Sequence, residues 1–339
     1  MLSADKDKHI VVIGGGTGTF TVLAGLKNHT PRLTAIVNMI DDAGSSGVLR
    51  DELGVLPPGD VRQSLVALST ASTELRDLFN YRFPEGTFAG HAFGNLFITA
   101  LEKMTGSIGE AVRIASEVLS IRGRVVPAST DDVRLALQTA DGRTIHGEDR
   151  IGEGPATEQL FVKGQPHRLY LEPKATLNPA AKAAIAEADL IVIAPGKLYS
   201  SILPSFLIEG MPEALRATSA KIIYICNLMT RPNQTAGFTV EDFAAEIERY
   251  AGGEVLDYVL YNTDKPTPEL LKRYALEGEQ PVTYNQNALA DRHYQAIGAA
   301  LISKEPFMQG KNDTLLKRTL IRHDSAGIAN IIMNIYSKL

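Results

Sequence analysis

Gly14-Gly15-Gly16-Thr17-Gly18 follows the apolar run Ile10-Val-Val-Ile13 and precedes an apolar segment from Phe20 to Asn28. Glycines between a strand and a helix leave backbone N–H groups bare at the positive end of the helix dipole, which suits an anionic phosphate. A tight turn needs one or two glycines at positive φ; four in five residues favour phosphate binding over a turn alone. Thr19 stands where the dinucleotide fingerprint wants its last glycine, and no Gly-Lys-Ser/Thr follows, so neither the strict Rossmann spacing nor a P-loop is met.

Asp41-Asp42-Ala43-Gly44-Ser45-Ser46-Gly47 follows a second β-branched run, Leu33 to Val37. In open α/β sheets that position is the carboxyl edge, where ligands bind. Asp41 and Asp42 can hold a hydrated Mg²⁺ or orient a ribose, while Ser45 and Ser46 offer hydroxyls; an Asx/Ser turn with local hydrogen bonds is the alternative. Asp60 with Gln63 resembles a capping box. In Gly90-His-Ala-Phe-Gly-Asn95, a structural role for His91 outweighs a direct one, and Asn95 offers an amide. Pro195-Gly196-Lys197 and Asn227-Leu-Met-Thr230 follow later strands and should reach the same edge, with ordinary turn chemistry about as good an account. Asp324 reads as an N-cap, and Arg322 as a partner for an anionic ligand. No Ser/His/Asp triad, activated cysteine or histidine-rich metal cluster can be assembled from the order of residues.

These segments need a scaffold that brings them together. Strands alternate with helical stretches at both ends of the chain: strands at Ile10, Leu33, Leu190, Ile222 and Tyr258, helices near Phe20–Asn28, Ile202–Leu215, Phe243–Tyr250 and Glu269–Tyr274. That grammar gives a Rossmann-like α/β fold, a mostly parallel sheet flanked by helices. In the middle, Val133–Leu137 and Thr144–Gly147 flank Asp141-Gly142, a hairpin signal inside a small antiparallel β insertion, and 150–164 reads as a long surface loop. The expected organisation is 1–124 as the first half of the nucleotide-binding domain, 125–175 as the insertion and 176–339 as the second half.

The 339 residues suffice for a large core, and 34 Lys plus Arg against 39 Asp plus Glu give a net charge of −5, which disfavours nucleic acid as a partner. One cysteine, Cys226, allows no internal disulfide, and no apolar run approaches the ~20 residues of a membrane span. With a polar, charged start at Met1–His9 in place of an apolar signal segment, the cytoplasm is the expected location.

Ile13-Gly-Gly-Gly-Thr-Gly18, Asp41-Asp-Ala-Gly-Ser-Ser-Gly47, Leu56-Pro-Pro-Gly-Asp60, Gly90-His-Ala-Phe-Gly-Asn95 and Asn227-Leu-Met-Thr230, in this order, resemble the gluconeogenesis factor family over nearly the whole chain. That family is similar in fold to the 2-phospho-L-lactate transferases. The resemblance implies a cytoplasmic regulator of cell shape and cell-wall synthesis under gluconeogenic growth that binds UDP-N-acetylglucosamine or UDP-glucose and passes its occupancy to a protein partner of cell-wall synthesis. It also implies nucleotide contacts at Gly14, Gly15, Gly16, Thr17, Gly18, Asp41, Asp42, Ser45, Ser46, Asn95, Gly196, Asn227, Thr230, Tyr274 and Arg322. By the related transferases, Mg²⁺ would sit on Asp41, Asp42 and Asp60. The alternatives are a Mg-dependent transferase of the 2-phospho-L-lactate kind and, more weakly, an NAD-binding protein; a homo-oligomer is compatible with either. Three departures stand out. Ala43 replaces a glycine and resists a positive φ, Ala194 replaces another glycine, and Lys197 replaces a serine, bringing a cation beside the expected phosphate.

Overall fold

The computed structural model describes residues 8–153, 160, 161, 163–165, 167–304 and 320–339. Its frame is a parallel sheet of seven strands: β1 (Ile10–Gly14), β2 (Leu33–Val37), β3 (Arg124–Pro127), then, after the insertion, β7 (Leu190–Ile193), β8 (Lys221–Ile225), β9 (Tyr258–Asn262) and β10 (Gln295–Ala299). The order across the sheet is β10-β9-β8-β7-β1-β2-β3, with β7 at the centre and β1 beside it, paired in parallel to β2 through Val12↔Ala35 and to β7 through Val12↔Val192. The expected α/β fold with a mostly parallel sheet is therefore present. A second sheet of three antiparallel strands, β4 (Arg134–Gln138), β5 (Thr144–His146) and β6 (Arg168–Glu172), is the insertion, with Asp141-Gly142 at the β4–β5 hairpin.

Because successive residues of a strand point to opposite faces, β1 serves two cores. Ile10 and Val12 pack with α1 (Gly16–Leu26), α3 (Gly59–Leu68), α5 (Phe93–Thr105), α6 (Ile108–Val118) and α13 (Ser325–Tyr336), while Val11 and Ile13 pack toward the insertion, α8 (Pro179–Ala186), α9 (Met211–Ala217) and α10 (Val240–Ala251). The remaining helices are α2 (Gly44–Leu53), α4 (Thr73–Asn80), α7 (Glu148–Glu153), α11 (Pro268–Leu276) and α12 (Gln286–Ala290). At the opposite edge from the loops, the Tyr336 hydroxyl donates to the Lys8 carbonyl at 2.7 Å and ties the last helix to the start of β1.

Three expectations change. The apolar segment Ile202–Leu215 is not one helix: a π-helical turn at Leu198–Ile202 runs into a 3₁₀ turn at Leu203–Leu207, and α9 begins only at Met211. Pro204 and Gly210 (φ 97°) punctuate it. The tract 150–164 is not loop throughout, since its first residues belong to α7, and Leu160 and Phe161 are buried; 154–159 and 162 lie outside the described residues. Asp60 does not close a capping box on α3, whose N-cap is Pro58 with no side-chain bond. Asp324, by contrast, is the N-cap of α13, accepting from the Ala326 amide at 3.0 Å.

The first glycine loop is packed tightly against the seventh strand's exit. A methyl group at Gly18 would collide with the Pro195 carbonyl oxygen, so glycine is required there by close approach of two backbones. Gly18→Ala is accordingly expected to cost roughly 1–3 kcal/mol or more, as overpacking does, read as a lowered midpoint in chemical unfolding; an unchanged midpoint would show that the two loops separate freely.

Candidate functional site

All parallel strands end on one edge, and the segments after β1, β2, β7 and β8 meet there around a cavity of about 560 Å³. Gly15, Gly16, Thr17, Gly18, Asp41, Ser45, Ser46, Asn95, Gly196, Asn227, Tyr274 and Arg322 line it. Gly14, Asp42 and Thr230 do not appear in its wall. Thr230 is buried and exchanges hydrogen bonds with the backbone of Gln280 at 3.2 Å in each direction. The Tyr274 hydroxyl accepts from the amides of Leu320 (2.7 Å) and Ile321 (3.1 Å), so it fixes the segment that carries Arg322. Asn227 Nδ2 donates to the Gly196 carbonyl at 2.6 Å and joins the two second-half loops.

Gly16 has φ 66° and open space where a side chain would begin, so this glycine faces the cavity. Its amide donates to Asp60 Oδ1 at 2.9 Å. Asp60 leaves its own helix uncapped and instead places a carboxylate against the glycine loop, in the position of an anion. Ala43 is accommodated because it is extended (φ −88°, ψ 151°) and the positive φ of this turn falls on Gly44 (48°).

Asp41 accepts from the Ala43 amide at 3.1 Å, and Gly59 leaves room for both Asp41 and Ser46. Ser45 sits in a short chain of side chains: Arg62 Nε donates to Asn95 Oδ1 (2.9 Å), Asn95 Nδ2 to Ser45 Oγ (3.0 Å), and Ser45 Oγ meets His91 Nδ1 at 3.1 Å. An arginine only donates, so the Asn95 amide has one orientation, its oxygen toward Arg62 and its nitrogen toward Ser45. His91 thus touches the site through Ser45 and is not itself among the residues that line the cavity.

The insertion supplies a wall that sequence reasoning missed. α7 brings Glu148, Asp149 and Glu153 to the cavity, opposite Lys197. Lys197 Nζ lies 2.8 Å from Glu153 Oε1 and 3.5 Å from Glu148 Oε1. The one sequence signal was the Glu148-Asp149 pair directly after a hairpin strand, at a helix start. Arg231 and Glu279, 2.7 Å apart, also face the cavity, as do Arg62 and Arg82.

Burial governs the titration of these acids. It raises Asp60 well above the carboxylate range, and the neighbouring Asp41 and Glu148 charges push the same way, against the Gly16 amide and Lys197. Burial raises Asp41 too. Glu148 is pushed up to about 7 by burial in spite of Lys197. Burial opposes the charge of Lys197, but Glu148 and Glu153 outweigh it and hold its pKa above the ordinary lysine value.

Residues 10–302 match the family described as 2-phospho-L-lactate transferase CofD. The chain belongs to the CofD family. Within it, a Thermotoga maritima relative is 42% identical over 96% of this chain and 98% of its own. The gluconeogenesis factor of Bacillus subtilis is 37% identical over 96% of this chain and 97% of its own. A crystal structure of a Bacillus halodurans protein superposes with a TM-score of 0.87 at 34% identity, covering 97% of this chain and 100% of that one. The resemblance read from the five motifs is therefore correct.

The metal trio expected from the transferase side of this CofD family does not assemble. Asp42 Oδ1 and Oδ2 accept from the amides of Asp149 (2.8 Å) and Glu148 (3.0 Å), so the carboxylate caps α7. Asp60 Oδ1 is held by Gly16, and among the described residues no three His, Cys, Asp or Glu side chains converge as a metal site.

A carboxylate whose folded pKa is raised favours the fold at low pH and weakens it as pH rises past its unfolded value toward neutrality. Asp60→Asn keeps an oxygen for the Gly16 amide and removes that charge. Thermal unfolding should show the variant gaining stability over the parent more at about pH 8 than at about pH 5; an equal gain at both would mean that Asp60 is not the group held protonated.

Proposed function

We propose that the cavity binds a nucleotide diphosphate sugar, UDP-N-acetylglucosamine or UDP-glucose, and that the protein acts as an occupancy-dependent regulator. The observation that carries this reading is the meeting of the glycine loop with both second-half strand ends around one cavity. The N-terminus of α1, with Gly16 open to the cavity, suits a diphosphate. Asn227, Gly196 and Arg322 border the same space from the second half of the sheet and would discriminate the remainder of the ligand. The volume, about 560 Å³, lies in the ordinary range for small-molecule sites. The name borne by the Bacillus subtilis relative, gluconeogenesis factor, describes a physiological role rather than a reaction, which fits a regulator. A partner protein of cell-wall synthesis, a cytoplasmic location and a homo-oligomeric state belong to this proposal; among the described residues no helix is long and apolar enough to cross a membrane.

A second reading is phospho-group transfer of the CofD kind, and the family match favours it. Its structural support is the pair of carboxylates, half-buried Asp60 and buried Glu148, both raised toward neutrality in the cavity, where a general base is wanted. NAD is the weakest of the three ligands, because Thr19 stands in place of the fingerprint's final glycine and is itself buried with its hydroxyl on the Gly15 carbonyl.

Calorimetry with UDP-N-acetylglucosamine, UDP-glucose, GDP and NAD separates these readings when paired with an assay for consumption of the nucleotide. Binding of a UDP-sugar without turnover is the expected result; turnover would establish the transferase. Gly16→Asn, which tolerates a left-handed backbone and projects a side chain into the open space, should fold and lose binding. Arg322→Ala should weaken UDP-sugar about ten- to a hundredfold, the loss of one charge-assisted contact. Parent-like affinity in both variants would remove the diphosphate from this loop.

A further inference from the structure

Between the loop after β8 and the flank of α1 stands His323, half-buried in the cavity wall. Its backbone is fixed on both sides. Ile302 and His323 form an antiparallel bridge, the Ser303 amide donates to the Arg322 carbonyl at 2.8 Å, and the Asp324 amide donates to the Leu301 carbonyl at 2.7 Å. Two residues on, Ser325 Oγ donates to the carbonyl of Thr21 in α1 at 2.7 Å, and Thr21 lines the cavity as well. Just before it, the Tyr274 hydroxyl holds the amides of Leu320 and Ile321. A segment tied to three different elements presents its side chains in one arrangement.

The ring is fixed too. His323 Nε2 lies 3.1 Å from the carbonyl oxygen of Cys226, the residue directly after β8. A backbone carbonyl only accepts, so Nε2 is the nitrogen that carries a proton. Burial pushes the imidazole pKa down to about 4, against the Cys226 carbonyl, which favours the charged form. At neutral pH the ring is therefore uncharged, its single proton is spent on Cys226, and Nδ1 keeps its lone pair. Among the described residues no donor meets Nδ1, and the atom is not sealed from solvent. The cavity wall thus holds an uncharged acceptor whose proton state is set by the main chain behind it.

We propose that His323 Nδ1 is a specificity-determining acceptor of this cavity, taking a hydrogen bond from an O–H or N–H group of the bound nucleotide sugar. The state of the ring stands on its contact with Cys226; the ligand contact rests on the diphosphate reading above. The diphosphate of a nucleotide sugar carries no proton at neutral pH, so its oxygens would face Nδ1 lone pair to lone pair, and the ring does not hold the phosphates. A ligand with an acceptor at this place would leave two lone pairs opposed in a half-buried wall, and it is rejected for that reason. Three parts of the ligand offer donors: the imide N–H of the base, the ribose hydroxyls, and the hydroxyls or acetamido N–H of the sugar. The labour is then divided. The glycine loop suits a diphosphate in any nucleotide, and His323 reads what is attached to it.

Nitrogen NMR of isotopically labelled histidine rings, on the protein without ligand, tests the first part. The His323 signals, assigned by their loss in His323→Gln, should show a protonated Nε2 and a bare Nδ1; a protonated Nδ1 overturns the proposal. Two substitutions test the contact. His323→Gln keeps an N–H for Cys226 where Nε2 stands and removes the acceptor, whereas His323→Asn keeps an oxygen where Nδ1 stands and gives up the Cys226 bond. Calorimetry with UDP-N-acetylglucosamine should find His323→Gln weaker by about three- to tenfold, the loss of one neutral hydrogen bond, and His323→Asn close to the parent. Thermal unfolding should rank the two variants the other way round. A folded His323→Gln protein with parent affinity, or the two variants weakened alike, overturns the contact. Analogues identify the donor and serve even where His323→Asn folds poorly, because a ligand without the donor is indifferent to the loss of the acceptor. UDP should bind parent and His323→Gln equally if the donor is on the sugar, N3-methyl-UDP if it is on the base, and dideoxy-UDP if it is on the ribose. If every analogue still loses affinity in His323→Gln, the contact is refuted. A parent that binds none of these nucleotides refutes the diphosphate reading and the contact with it, and leaves the tautomer result standing.

Discussion

Parallel pairing of β1 with β2 on one side and β7 on the other is the constraint on which the rest depends. Parallel neighbours run in one direction, so every chain segment that leaves these strands emerges at the same edge. Residues separated by about half the chain, such as Gly18 and Pro195, are thereby brought into backbone contact. The insertion between β3 and β7 is then not a decoration. Arg50 and Asp51 of α2 pair with Asp132 and Arg134 at the start of β4, and Asp42 caps α7, so the second motif and the insertion are bonded at both ends of α2. The cavity wall made by α7 follows from that attachment.

Seen from the electrostatics, the edge is close to balanced internally. Lys197 answers Glu148 and Glu153, and Arg231 answers Glu279. Asp60 supplies its own negative charge to a loop amide that phosphate would otherwise take. A ligand diphosphate therefore competes with an internal carboxylate for the Gly16 amide, and burial, which raises the pKa of that carboxylate, makes it a weaker competitor than a fully ionised one. The glycine loop and Asp60 form one unit, and the packing shows why: a methyl group at Gly15 would run into Asp60, so both the carboxylate and the bare backbone are required together.

Much of this was legible in the residues. The β-branched runs at Ile10–Ile13 and Leu33–Val37 and the Asp141-Gly142 turn are governed by local sequence, and they formed as the pattern says. The edge location of four motifs followed from strand polarity alone. What sequence could not show were choices settled by distant partners. Asp60 with Gln63 has the composition of a helix start, yet the carboxylate turns to a loop 44 residues away, because the Gly16 amide at the start of α1 has no intrahelical acceptor. Asp42 reads as a ligand beside Asp41, yet the two unsatisfied amides at the start of α7 claim it. Glu153 of α7 fell in a tract that looked like loop because a six-residue helix carries too few turns for periodicity to show.

The same comparison bears on how family membership should be used. Belonging to the CofD family fixes the fold and the edge at which chemistry would occur, but the fold does not fix the reaction. Metal-assisted transfer asks for an ion that templates attacking and leaving oxygens and exchanges its ligands during turnover. A lysine ammonium wedged over Gly152 between two glutamates supplies charge without exchangeable positions. It ties α7 to the turn after β7 and holds that wall of the cavity in one arrangement, so whatever enters the cavity meets a charge whose place is set by the fold.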